Sequence, residues 1–113
     1  MPLFLVTIHR ADGFDPAKEV DAAMRADIQA LNQEMQAAGV RVFVGGLKPP
    51  GETKSLRTGP DGGVTVADGP LTVTGTHVDG LWVLETGTDA EALDWGRRAA
   101  IAGRAQVEVR PFH

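Results

Sequence analysis

Asp68, His9 and His77 are the side chains of this 113-residue chain best suited to acid–base chemistry. Asp68 stands between a β-prone stretch and the Gly69-Pro70 break. A carboxylate there is fit to act as a general base or to hold a substrate hydroxyl. The competing role is an Asx-turn, in which the side chain accepts from backbone amides while Gly69 and Pro70 set the dihedrals. His9 and Arg10 close the first apolar run, Leu3 to Ile8. An imidazole at that strand end can shuttle a proton or simply be solvated. His77 lies in Gly75-Thr76-His77-Val78-Asp79-Gly80, ahead of a strand. From there it can swing over a pocket and pair with Asp68 or Asp79, or remain an exposed loop residue. The expected catalytic set is Asp68 as base, with His9 or His77 as its proton partner.

Arg10, Arg41 and Trp82 are the candidates for holding a substrate. An arginine grips a carboxylate through two parallel hydrogen bonds. Trp82 on a central strand, or Trp95 on the second helix, can floor a pocket for an aromatic ligand or pack in the core. Arg57 and Arg110 are further strand cations. His9, His77 and Asp68 or Asp79 supply the donor types of a two-histidine-one-carboxylate metal site. No local spacing joins them, and no metal is expected. No Gly-Lys-Ser/Thr follows the glycine pairs, so no phosphate cradle is expected, and no nucleophile elbow is present. The expected chemistry uses no cofactor.

Composition narrows the classes further. The chain has no cysteine, which excludes a disulfide framework, a thiolate zinc site and a cysteine nucleophile. Its net charge of −4 argues against nucleic acid as a partner, because phosphate-backbone affinity comes from clustered positive charge. No apolar run approaches the roughly 18 residues needed to cross a membrane. The first ten residues lack the basic region of a secretory signal. A single cytoplasmic domain over residues 1–113 is expected.

The elements that must position these residues are legible from periodicity. Leu3-Phe4-Leu5-Val6-Thr7-Ile8 reads as a central strand, apolar on both faces. Asp15-Pro16 is a helix start, and Val20, Met24, Ile28, Leu31, Met35 and Ala38 form one apolar stripe, predicting a single helix of about six turns that stops at Gly39. Val40 to Val44 is the next strand. Residues 53–66 read as a hairpin around Gly59-Pro60-Asp61-Gly62-Gly63. Gly80 to Glu85 is a strand, Thr88 and Glu91 form a capping box, and the second helix carries Ala92, Leu93, Trp95, Ala99 and Ala100. Gln106 to Arg110 alternates as a half-buried strand.

The order is α+β: a ferredoxin-like β-α-β-β-α-β plan with an inserted hairpin and an antiparallel sheet. Two helices cover only one face of such a sheet. An apolar second face calls for a partner, and an isologous homodimer with sheets packed face to face is the expected one.

Five segments, Gly46-Leu47-Lys48-Pro49-Pro50, Ala67-Asp68-Gly69-Pro70-Leu71, Gly80-Leu81-Trp82-Val83-Leu84-Glu85, Glu91-Ala92-Leu93-Asp94-Trp95 and Val107-Glu108-Val109-Arg110-Pro111, occur in that order. Together they resemble the YCII-related family, in the branch named for its Asp-Gly-Pro-Phe motif, and the resemblance runs from the first strand to the last. It implies a ferredoxin-like fold assembling as a dimeric α/β barrel. A related branch includes a dehydrochlorinase of a chlorinated hydroxyquinol, with a His–Asp pair suggested as catalytic. Other members are similar to domains found beside sigma factors. The wider superfamily holds monooxygenases and isomerases of small aromatic or lactone compounds. This chain departs from the branch: Leu71 replaces the motif's Phe, Val73-Thr74-Gly75-Thr76 replaces a charged stretch, and Asp27-Ile28 stands where many relatives carry a helical His. The family's His–Asp pair therefore does not transfer residue by residue.

The expected function is a homodimeric small-ligand protein performing isomerisation or elimination, with an arginine holding the substrate's anion. The alternative is a non-catalytic accessory or regulatory protein that binds a partner or senses a metabolite.

Overall fold

The computed structural model describes residues 1–113. Strand β1 (Leu3–Ala11) is followed by a short helix α1 (Pro16–Glu19), helix α2 (Ala22–Ala37) and strand β2 (Arg41–Gly46). A hairpin of β3 (Lys54–Thr58) and β4 (Val64–Asp68) precedes β5 (Thr76–Glu85), helix α3 (Asp89–Gly103) and β6 (Gln106–Pro111). Four strands form an antiparallel sheet in the order β2-β5-β1-β6, and β3 and β4 form a separate two-stranded sheet. The molecule is α+β, and its order is compatible with a ferredoxin-like plan. No helix is long and apolar enough to cross a membrane.

The single long helix expected from Pro16 to Gly39 is two helices. Val20 is extended (φ −94°, ψ 102°), and Asp21 caps α2 by accepting from the Met24 amide at 2.8 Å. A capping carboxylate competes with helix continuation, so the apolar periodicity crosses a break that it does not reveal. The stop is as expected. Gly39 has φ +71°, the Gly39 amide donates to Gln36 O and the Val40 amide donates to Met35 O, which together make a Schellman closure.

Helices α2 and α3 cover one face of the sheet. Val6, Ile8, Leu31, Met35, Trp82, Leu84, Ala99 and Ala102 form the core beneath them. The α3 cap is also as expected: Thr88 accepts from the Glu91 amide, although Glu91 reaches back to the Gly87 amide. The buried side of α3 is Ala92, Gly96, Ala99, Ala102 and Gly103, while Leu93 faces out. These small residues let α3 sit low on the sheet. A Cβ on Gly96 would stand 2.4 Å from Val109 Cγ2, and one on Gly103 would stand 2.4 Å from Ile8 Cδ1.

Alternation along β1 decides which residues face the helices. Phe4, Val6, Ile8 and Arg10 are buried, while Leu3, Leu5, Thr7 and His9 lie on the opposite, half-buried side. On that side Leu5 is opposite Val83 and Arg110, and Thr7 is opposite Leu81 and Glu108. The open face is thus apolar along β1 and β5 but charged along β6. No second layer covers it within the chain, and the molecule is only 18 Å across its shortest axis.

Candidate functional site

A cleft of about 780 Å³ lies where the end of the β1–β5 ladder meets the two stretches that lead into and out of the hairpin. One wall is His9, Asp12, Thr76, His77 and Val78; the other is formed by residues 47–53, Pro70 and residues 72–74. Its volume falls in the range of small-molecule sites. A β-bulge shapes this wall. Ile8 pairs with Gly80 but His9 pairs with Val78, leaving Asp79 as the extra residue. Beyond the bulge Arg10 is opposite His77, and the ladder is extended by the Asp12 amide donating to Gly75 O at 2.9 Å. That register delivers Asp12 to His77.

The His77 Nδ1 and Asp12 Oδ1 atoms are 3.0 Å apart, and the His77 side chain is only 15% exposed. A carboxylate accepts, so Nδ1 carries the hydrogen, and in the neutral ring Nε2 is the nitrogen with the lone pair. Nε2 makes no hydrogen bond to the protein. This is the arrangement of an imidazole oriented by a carboxylate, with its second nitrogen left to exchange a proton.

His9 forms a second such couple. Its Nε2 is 3.0 Å from Glu108 Oε1 and 2.9 Å from Thr7 Oγ1. Two carboxylate-supported imidazoles therefore line one cleft. Around them are the hydroxyl residues Thr53, Thr72, Thr74 and Thr76 and the ring faces of Pro49, Pro50 and Pro70. Lys48 is the only Lys or Arg in the lining, and it is offset by Glu52 at 3.9 Å.

The remaining sequence candidates lie elsewhere. Asp68, at the end of β4, does not line the cleft; its side chain is 80% exposed and pairs with Lys54 across the hairpin rather than with turn amides. Asp79 pairs with Arg10, so the two-histidine-one-carboxylate set does not assemble. Arg10 points under the helices, bonded to Asp79 and to Gly103 O, with Phe14 stacked at 4.4 Å. Arg41 pairs in register with Leu84 at the sheet's edge strand. Trp82 is core, its Nε1 donating to Asn32 Oδ1 at 2.9 Å. No arginine lines the cleft, so the expected arginine clamp on a substrate anion is not formed there.

Asp12 is the residue sequence reasoning missed. It sits in a turn-forming Ala11-Asp12-Gly13, where an aspartate has an ordinary local use. The signal that could have found it is the antiparallel register: a carboxylate just past the end of β1 faces whatever precedes β5. No protein-family model matches the chain, and no curated protein matches it.

Proposed function

We propose that the cleft binds a small organic molecule and moves a proton on it, in an isomerisation or a dehydrochlorinase-like elimination that needs no redox cofactor. The observation that carries this reading is the His77–Asp12 couple, with its free Nε2 in the wall of the cleft. His77 Nε2 takes the proton and, as the imidazolium, returns it to another carbon of the ligand in an isomerisation, or gives it up to water after chloride leaves in an elimination; His9, held by Glu108, borders the same cleft. Threonine hydroxyls and proline faces suit a ligand that is mostly apolar, with one or two hydroxyl or carbonyl oxygens. The near balance of charge in the lining favours a neutral or singly charged ligand over a polyanion.

The same reading places the chain beside the YCII-related proteins that its motifs resemble, with the open sheet face paired against a second copy as in a dimeric α/β barrel. The half-buried apolar middle of that face, Leu5, Leu81 and Val83, supports the pairing. The alternative, a non-catalytic regulatory protein, draws its support from the exposed hairpin rather than from the cleft.

Deuterium exchange tests the reaction. The protein is incubated in D₂O with an unsaturated lactone and, separately, with a chlorinated hydroxyquinol, and the ligand protons are followed by NMR together with chloride release. Turnover of either probe by the wild type is expected. His77→Gln should lower the rate by about a hundredfold or more, and Asp12→Asn by about tenfold to a hundredfold. An unchanged rate in His77→Gln, or no turnover by the wild type, would sink the reading.

A further inference from the structure

The hairpin formed by β3 and β4 has no core of its own. Of its ten strand residues only Ser55 is buried. One side is tied to the chain that follows it: the Ser55 hydroxyl donates to Gly69 O, and Arg57 donates to Leu71 O at 2.8 Å. The register places Leu56 opposite Val66 and Thr58 opposite Val64 on the other side, with Lys54 and Asp68 at its root. Leu56, Val64 and Val66 are 60%, 56% and 62% exposed. A two-stranded hairpin standing alone is marginal in water, so a bare apolar side on one signals a contact surface.

The surface is large. Nine of the thirteen large apolar side chains that the molecule leaves exposed lie between residues 42 and 73, on β2, on this arm and on the stretches that join the arm to the sheet. The chain's accessible area is 7503 Å². A compact monomer of 11.9 kDa would show about 5,900 Å². Its radius of gyration is 16.2 Å, against about 13 Å for a compact domain of this length. The surplus, about 1,600 Å², is in the range that one subunit of an obligate homodimer gives up.

We infer that the Leu56/Val64/Val66 side of the arm docks on a second copy of this chain. The contact is isologous and runs on from the β2 edge, where Val42, Phe43 and Leu47 are also exposed. Charge fits this occupant. The bare side carries only the mutually neutralising Lys54 and Asp68, so two identical copies meet there with no like charges opposed. The arm extends the homodimer proposed above and is independent of the proton chemistry.

Sedimentation velocity of the full chain at micromolar concentration tests this. The wild type should sediment at twice 11.9 kDa. The double variant Leu56→Asp/Val66→Asp should dissociate about thirtyfold or more readily, with its helical circular dichroism intact because no core residue changes. A separate variant, Val83→Lys, reads the sheet face alone. As a second measurement, Val66→Cys supplies the chain's only thiol. An environment-sensitive fluorophore there should shift to the blue and lose quencher access as the protein is concentrated. A wild-type monomer, whether free or recruited to phosphatidylcholine vesicles, would overturn the inference. So would a dimer weakened by Val83→Lys but not by the arm variant, and so would a fluorophore that stays wet in the dimer.

Discussion

Arg10 Nε lies 3.3 Å from the Asp79 carboxylate, and the two side chains are 5% and 32% exposed. Asp79 is the extra residue of the bulge in β5, and its carbonyl accepts from the Leu47 amide at 2.8 Å. One residue thus pins the bulge that aims His77 and ties down the start of the opposite wall of the cleft.

This pair should respond unequally to its two deletions. Asp79→Ala strands a buried guanidinium, with Gly103 O and the Phe14 ring as its remaining company. The expected loss is about 2–4 kcal/mol, because an uncompensated buried charge is the costly outcome. Arg10→Met leaves an aspartate that reaches water and fills the site with apolar volume, so it should cost less, on the order of 1 kcal/mol. Urea denaturation of the two variants checks the order; an equal or reversed order would show that the Coulombic pairing is not what holds Arg10 inside.

Asp68→Asn should be close to silent. Its partner Lys54 is exposed, and exposed pairs contribute about 0–1 kcal/mol. The rate on the probes used for His77→Gln should stay within about twofold of wild type, as expected for a group outside the cleft. A collapse of the rate in Asp68→Asn would return the role of base to the residue that the sequence pattern favours.

Gly96→Ala should destabilise even though alanine is the better helix former. The propensity gain is about 1 kcal/mol, and overpacking against Val109 costs about 1–3 kcal/mol. Val109 is β-branched and cannot turn its Cγ2 aside cheaply. A net loss of about 1 kcal/mol corresponds to a melting temperature roughly 5 °C lower. Gly103→Ala should be milder, since the Ile8 Cδ1 methyl it meets ends a longer side chain. Calorimetry on both variants decides between crowding and propensity.

The parts of the fold written in local chemistry are legible in the chain. Thr88 and Glu91 announce the start of α3, Gly39 announces the end of α2, and the alternation of Gln106 to Arg110 announces β6. The split at Val20–Asp21 is hidden because Asp21 is in phase to be a solvent-facing helical residue and acts instead as a cap. The site is harder to read. His77 and Asp12 are 65 positions apart, and their meeting depends on a bulge that shifts the register by one residue. Arg10 misleads for another reason: a cation is ordinarily placed toward water, and its burial becomes intelligible only once Asp79, Gly103 O and Phe14 are found around it. His9 and His77, by contrast, are named by residue type alone, and both line the cleft.

The chain leaves the four-stranded sheet at Gly46 and re-enters it at Thr76, on the neighbouring strand β5, whose Gly80 pairs with Gly46. Everything between is, topologically, one enlarged turn. Such a turn can grow, shrink or change sequence without re-registering any strand of the main sheet. The hydrophobic nucleus and the hairpin arm are therefore encoded on separable stretches of polypeptide, and the arm can be rewritten while the nucleus stays as it is.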